Sequence, residues 1–382
     1  MLRVLQIVSA PHPGPDGRAG VTGPERRIAA LAPLFPALGV EPVILYPRRG
    51  RLWDQFAATG LTLIDGEPGG KLNLKAPGMI ARLAREHGAG LIHTQGPGSY
   101  DAQACVAGRM AGIPVVVTRP VMIEDLTDRS ALRTKIYALI DRLVVPNLAA
   151  RVVAVGQNGY ERLRDVTGVP LSKLRLVRNG APLEGYSARF HGASSGRADE
   201  PPVVIGMVGH LLPYKGYDDF LKTIAALRRR GLNVVARIAG EGSERAHLED
   251  LAHDLGVAEA VAFLGYRSDM APVLSEFDIF LFTSLREGLA MAVVEAMASG
   301  LPIVASEIGG IREQVEDGVN GHVLRAGDVE GFAARTAELV VDPARRAAYG
   351  AASRALALDR FDQQRMLREY AALYHDVAGT TP

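Results

Sequence analysis

Short apolar runs alternate along the chain with longer stretches in which apolar and polar positions mix at helical spacing. The runs Leu2 to Ser9, Val43 to Tyr46, Leu91 to His93, Val115 to Thr118 and Arg151 to Val155 are rich in β-favouring residues and too short for helices. Between them, Gly78 to His87, Ala102 to Ala111 and Gln157 to Val166 are helical in composition. The same alternation resumes at Val203 to Val208 and continues through Asp218 to Arg229, Asn233 to Ala239, Ser243 to Leu255 and Ala260 to Leu264. Strand and helix in strict alternation predict parallel sheets covered on both faces by helices. The α/β class follows, with ligands expected at the carboxyl ends of the strands.

The clearest unit is Phe277 to Gly321, FDIFLFTSLREGLAMAVVEAMASGLPIVASEIGGIREQVEDGVNG. A strand from Phe277 to Phe282 leads through Arg286, Glu287 and Gly288 into a helix from about Leu289 to Ser299, closed by Gly300 and Pro302. Leu301 to Ala305 is the next strand, ending at Gly309-Gly310. A helix start leaves backbone N–H groups unpaired and favours an anion, here expected near Gly288, Leu289 and Ala290. Glu287 stands beside that position, and Glu295 follows eight residues later at an angular offset of roughly 80°. Two plainer readings exist: Ser284 to Glu287 fits a capping box, and Glu295 fits a solvated helix glutamate.

Length and composition narrow the class. A chain of 382 residues suits two domains, and 48% hydrophobic with 22% charged residues is ordinary for a globular protein. The single cysteine, Cys105, excludes an internal disulfide and fits a reducing compartment. No apolar run approaches the ~18 residues of a spanning helix, and the start MLRVLQIVSAPHPG reads as a strand without a signal peptide, so a cytoplasmic chain is expected. The net charge of +1 is unevenly shared: residues 1–180 hold 23 Lys and Arg against 14 Asp and Glu, and the rest hold 20 against 28. A basic first half suits an anionic partner such as lipid headgroups, although a solvated arginine surface explains it equally well. No nucleic-acid-binding signature accompanies the charge, and no nucleic acid is expected as partner.

The text EGLAMAVVEAMASGLPIVAS, followed by GG and EDGVNG, closely resembles the nucleotide-sugar-binding segment of retaining glycosyltransferases of family 4, which carry a Glu-x7-Glu pair here. The resemblance is strongest from about Val203 to Leu324 and looser before it. It implies the GT-B fold: two facing Rossmann-like domains with a donor cleft between them. The boundaries expected are an acceptor-side domain over 1–185, a polar linker over 186–202, a nucleotide-sugar domain over 203–355, and a C-terminal helix over 356–382 returning to the first domain. The resemblance also implies residue roles. Glu295 accepts from ribose hydroxyls and Glu287 meets the donor sugar. Lys215 and the amides of Gly288, Leu289 and Ala290 hold the phosphates, in a loop that keeps Gly209, Leu211 and Gly216 of the family pattern. Backbone at Tyr266 and Arg267 meets the base. Glu287 and Lys215 would carry the catalytic demand, support of a departing diphosphate.

The departures from the family are specific. His210 occupies the position of a family arginine; a neutral imidazole donates one hydrogen bond and no charge, whereas imidazolium partly replaces a guanidinium. Arg119-Pro120 stands where many relatives have a histidine, with His93 as another polar group at a strand end, where a structural histidine is the favoured reading. The opening loop keeps only Gly23 of the family's Gly-Gly-x-Glu, and Ala181-Pro182 replaces the usual Val/Ile-Asp after Asn179-Gly180. Gly23, His93 and Arg119 are thus the candidates on the first-domain side. No Asp-x-Asp occurs anywhere, so no metal and no cofactor beyond the nucleotide-sugar co-substrate is expected.

The function implied is transfer of a sugar, with retention, to a lipid-linked or polysaccharide acceptor of cell-envelope type, with a peripheral contact to anionic membrane. The alternatives are a sugar-nucleotide epimerase of the same fold and a non-catalytic nucleotide-sugar-binding partner. A dinucleotide-dependent dehydrogenase is disfavoured, because no Gly-x-Gly-x-x-Gly follows the first strand.

Overall fold

The structure is a computed structural model, which describes residues 1–8, 23–48, 50, 52–69, 73–95, 100–119, 132–187, 194–287 and 289–381. The chain forms two compact units, one of Met1–Arg178 with Gln364–Pro382, the other of Asn179–Gln363. In the first, seven parallel strands run β1 Leu2–Val8, β2 Val40–Tyr46, β3 Thr62–Asp65, β4 Leu91–Gln95, β5 Val115–Arg119, β6 Arg151–Ala154 and β7 Leu174–Leu176. Their order in the sheet is β3-β2-β1-β4-β5-β6-β7, so the order reverses between β1 and β4. The second unit has β8 Val203–Val208, β9 Val234–Ala239, β10 Val261–Gly265, β11 Ile279–Phe282, β12 Ile303–Ser306 and β13 Gly321–Leu324, in the order β10-β9-β8-β11-β12-β13. Its reversal lies between β8 and β11. Every pairing is parallel, which is why the central strands read as unbroken apolar runs: helices cover both faces.

Three short strands escaped the sequence pattern, one of them Gly321–Leu324, which opens on glycine and carries a histidine at its second position. Thr62–Asp65 is a half-buried edge with polar ends, and Leu174–Leu176 has an arginine at its centre. None of the three gives the apolar run that marks a central strand.

The unit boundaries also differ from the sequence expectation. The first crossing comes at Arg178/Asn179 rather than after 185, because Ala181 and Leu183 are buried in the second unit's core. There Ala181 N–H donates to Phe361 O at 2.9 Å and Gln363 N–H to Ala181 O at 3.0 Å. A Cβ on Gly180 would lie 2.5 Å from Asp362 O, so the close approach of these two segments requires glycine. The polar stretch expected as a free linker is anchored where it is described. Arg346 Nη2 donates to Ser194 O at 2.6 Å, Asn233 N–H to Gly196 O at 2.7 Å, and the Glu200 carboxylate accepts from the Ser195 backbone.

The chain's last part is two helices rather than one. Pro343–Arg360 stays with the second unit, burying Ala357 and leading to buried Phe361. The helix Gln363–Ala378 supplies Met366, Leu367, Tyr370, Ala371 and Tyr374 to a first-unit cluster with Leu2, Val4, Leu91, Val116 and Val153. Spacings of three and four residues put these side chains on one helix face.

Candidate active site

Loops leaving the two strands at a reversal of strand order are where a doubly wound sheet can hold a ligand. In the second unit those strands are β8 and β11. The loop after β8 turns through Pro213–Lys215 into the helix Tyr217–Arg229. The loop after β11 runs from Thr283 to Ala290 and enters the helix Met291–Ala298. The two are stitched together: Leu285 N–H donates to Tyr214 O at 2.8 Å, and Thr283 Oγ1 to Gly216 O at 2.8 Å. Gly216 has φ 70°, and a Cβ there would fall 2.0 Å from Thr283 O, so this seam depends on glycine. Tyr217 OH holds Gly209 O at 2.9 Å from the other side.

The seam brings together two of the predicted residues. Lys215 Nζ donates to Glu287 Oε1 in an ion pair whose side chains remain 16% and 19% exposed. Ser284 Oγ lies 3.4 Å from the same oxygen. Among the described residues Glu287 Oε2 receives no hydrogen bond, so the carboxylate keeps acceptor capacity for a hydroxyl group. The capping box considered for Ser284 to Glu287 does not form, because the helix opens later, with Ala290 as N-cap and no side-chain capping bond. The first helical residue is accordingly Met291, downstream of the Gly288–Ala290 stretch expected to supply anion-binding amides. Gly288 itself lies outside the described residues, while Leu289 is half-buried and Ala290 buried.

Glu295 sits half-buried on that helix, and burial pushes its carboxyl up to about 7. It has no cationic partner in an ion pair among the described residues. Its neighbour is Tyr186, whose hydroxyl is pushed well above the usual phenol range by burial and then by Glu295. His210 is exposed at the end of β8, and Tyr266 and Arg267 are exposed beyond β10. Those two line a groove of about 450 Å³ with Leu264, Asp269, Pro272 and Glu276. Lys215, Glu287 and Glu295 do not line that groove, although Tyr186 feels both Glu295 and the groove residue Asp269.

Two bracing residues carried no recognised signal in the sequence. Gln314 is fully buried, and its Nε2 donates to Ala290 O at 2.8 Å, tying the start of the helix to the turn after Gly309-Gly310. Tyr186, beside Glu295, fell within the segment read as linker. Gln314 sits among Arg312, Glu313, Glu316 and Asp317, so the sequence there reads as a solvated turn and gave no clue to its burial.

The first-unit candidates come out differently. His93 is completely buried in the sheet, with Nε2 2.8 Å from Thr118 Oγ1 and Nδ1 2.6 Å from Tyr374 OH. Gln6 Nε2 donates to Tyr374 OH at 3.2 Å, and Gln95 Nε2 to Gln6 Oε1 at 2.9 Å. Burial, reinforced by Arg27, holds the His93 imidazole well below the usual histidine range, so it is a neutral bridge to the C-terminal helix. Arg119 is likewise enclosed, with Nε 3.0 Å from Asp101 Oδ2 and Nη2 2.5 Å from Asp141 Oδ1. Thr94 Oγ1 donates to Asp101 at 2.6 Å. Burial lifts Asp101 to about 6 despite the adjacent guanidinium. Neither His93 nor Arg119 presents a group to a ligand: His93 is the structural histidine that its position favoured, whereas Arg119 is a correction, because the partners needed to satisfy it are supplied by the fold itself. Gly23 opens the helix Gly23–Leu31, and the glycine loop before it lies outside the described residues.

Comparison with known proteins supplies an independent reading. The family described as "Glycosyl transferases group 1" matches residues 193–356, and "Glycosyltransferase Family 4" matches residues 21–184. The lipopolysaccharide core biosynthesis glycosyltransferase LpsE of Rhizobium meliloti is 35% identical over 143 residues, 37% of this chain and 41% of that protein. A GDP-mannose-dependent alpha-(1-6)-phosphatidylinositol monomannoside mannosyltransferase of Mycolicibacterium smegmatis is 36% identical over 175 residues, 44% of this chain and 45% of that one. The matched stretches thus span less than half the length of either relative. Among solved structures, Anabaena HepE in complex with UDP superposes with a TM-score of 0.79 at 20% identity, covering 98% of this chain and 100% of its own.

Proposed function

This chain belongs to the glycosyltransferases of family 4 type and has the GT-B fold, and from that premise we propose that it moves a sugar from a nucleotide-diphosphate donor to a lipid-linked or saccharide acceptor of the cell envelope. The observation that carries this reading is the seam at the β8/β11 reversal, where Lys215 and Glu287 meet beside an uncapped helix start. Breaking a glycosidic bond to a diphosphate builds negative charge on the leaving phosphate. A preformed ammonium and helix-terminal amides stabilise that charge with little reorganisation. Glu287, with Oε2 open, accepts from hydroxyls of the transferred sugar. Glu295, an acid without an internal cation, accepts from the ribose. Tyr266 and Arg267 border the groove assigned to the base.

Transfer with retention and without a metal completes the reading. The acceptor hydroxyl gives its proton to the departing phosphate oxygen as it takes the anomeric carbon. Lys215 and the helix start do the work a cation would otherwise do. Relatives named for lipopolysaccharide core and phosphatidylinositol mannoside synthesis support an acceptor of this kind, and HepE bound to UDP supports the donor. A lipid-linked acceptor also suits the exposed Leu139, Ile140 and Leu143 on the helix Leu132–Leu148, beside exposed Arg142. No helix among the described residues is long and apolar enough to cross a membrane, so the contact proposed is peripheral.

A thermal-shift screen against UDP-, GDP- and ADP-sugars tests the donor. Calorimetry with the responding nucleoside diphosphate should then find that Glu295→Ala weakens binding by about 1.5–3 kcal/mol, the loss of hydrogen bonds to a charged group. Unchanged affinity would remove Glu295 from the site. Activity kept in excess EDTA, and a product whose anomeric configuration matches the donor's by NMR, are the outcomes expected for the mechanism.

A further inference from the structure

A diphosphate brings at least one negative charge on each phosphate. The seam at the β8/β11 reversal offers less positive charge than the sequence suggests, because Lys215 is already matched by Glu287. The pair is neutral taken together, and a helix start adds only about half a charge. In the two loops that form the seam, residues 209–216 and 283–290, one further permanent cation exists: Arg286. Its guanidinium carbon lies 5.6 Å from the centre of the Tyr214 ring, and Lys215 Nζ lies 5.6 Å from the same centre. The two cations are therefore at most about 11 Å apart.

The arrangement is fixed from both sides. Tyr214 O accepts from Leu285 N–H at 2.8 Å and lies 3.3 Å from Ser284 Oγ, so the backbone just before Arg286 is tied to the residue just before Lys215. Arg286 is exposed, and among the described residues it has no carboxylate partner, unlike Lys215. An arginine stacked on an aromatic ring keeps its planar fork of N–H groups for bidentate contact with a phosphate.

Resting on the reading of this seam as a nucleotide-sugar site, we infer that Arg286 is the second cation of the diphosphate subsite, held over the same Tyr214 ring that Lys215 approaches. It supplies the positive charge that the Lys215–Glu287 pair lacks as built.

The test is calorimetry on the full chain with four probes: the nucleotide sugar that responds in the donor screen, its nucleoside diphosphate, its free nucleoside, and inorganic pyrophosphate. Arg286→Ala should weaken the diphosphate and pyrophosphate by about tenfold or more, the usual scale for a lost charge-assisted hydrogen bond. The nucleoside should change less than about twofold on the same scale. Arg286→Lys should restore part of the loss, since it keeps the charge without the fork. Equal losses for nucleoside and diphosphate would mean that the residue only props the loop, and would overturn the inference. So would a loss confined to the intact nucleotide sugar, which would assign the cation to the sugar. If the wild type binds none of the nucleotides, the donor reading itself fails. If it binds them and Arg286→Ala binds equally well, the Arg286 inference fails alone.

Discussion

The two units carry polar groups on parallel sheets of the same kind, and the contrast between them lies in what those groups have left to offer. In the first unit, Arg119 and Asp101 are 4% and 2% exposed, and each is paired within the protein. His93, Gln6, Gln95, Thr118 and Tyr374 likewise satisfy one another. In the second, Lys215 and Glu287 stay partly open, Glu287 keeps a free acceptor, and Glu295 is half-buried without a cationic partner among the described residues. A polar residue at a strand end is therefore a weak sign of a site. Unspent hydrogen-bonding and charge capacity, held in place by the fold, is the stronger one.

The contrast breaks most visibly if Arg119 is removed. Arg119→Met leaves Asp101 and Asp141 facing each other in the core, and stripping one partner from a buried pair typically costs about 3–5 kcal/mol. Denaturant unfolding should register that loss. It should shrink at acid pH, where the stranded carboxyls take up protons. Nucleoside diphosphate affinity, measured under conditions where the variant is folded, should match the wild type. A variant as stable as the wild type but inactive toward acceptor would instead make Arg119 a working residue and erase the distinction drawn here.

Much of this was legible in the sequence, and unevenly. Val203–Val208 was read to the residue, and most other strands and helices to within one or two. A strand buried on both faces must be apolar throughout, and such runs are hard to mistake. Lys215 and Glu287 were each named through the family resemblance, one for the phosphates and one for the donor sugar, because both sit in motifs of fixed position; their ion pair with each other was not read from the sequence. Burial was not legible. Histidine and arginine at strand ends look the same in a sequence whether they face a ligand or a tyrosine from a helix 281 residues later, as His93 and Tyr374 do. Nor could the helix start be fixed, since Ser284 to Glu287 has capping-box spelling but is held in the seam with Tyr214.

Glu295 sharpens the comparison at intermediate size. Its carboxyl is raised from 4.5 to about 7 by burial, so between those values the folded state binds more protons than the unfolded. Stability should therefore fall as pH rises through that window and level off above it. Glu295→Gln removes the effect, so its advantage over the wild type should grow from nothing near pH 4.5 to at most about 3 kcal/mol above pH 7. The same variant should bind nucleoside diphosphate more weakly, which makes it more stable and less functional at once. Urea unfolding across that range checks the first part and calorimetry the second. A pH-independent difference in stability would mean that the fold already holds the charged form of this acid without cost, and the second unit would lose its clearest unspent group.

The smallest expected effect on stability belongs to the first unit's surface. With His93 and Arg119 engaged within the fold, a partner of this unit is better sought on its surface, and exposed Leu139, Ile140 and Leu143 are a concrete place to look. Leu139 and Leu143 are 58% and 59% exposed one helical turn apart, with Arg142 between them in sequence. Asp141, on the same helix, turns inward to Arg119. Replacing both leucines with serine removes little buried apolar area, so unfolding free energy should stay within about 0.5 kcal/mol of the wild type. Binding to vesicles is a different matter, because an apolar face with basic neighbours gains from both burial at the headgroup boundary and attraction to anionic lipid. In sedimentation with anionic vesicles, the wild type should pellet at low salt and less so at high salt, and the double variant should stay largely in the supernatant under both conditions. Wild type that remains in solution throughout would leave this face as ordinary exposed helix. The His93 and Arg119 networks would then stand as polar chemistry spent on the first unit's own fold, with no surface function attached to this helix.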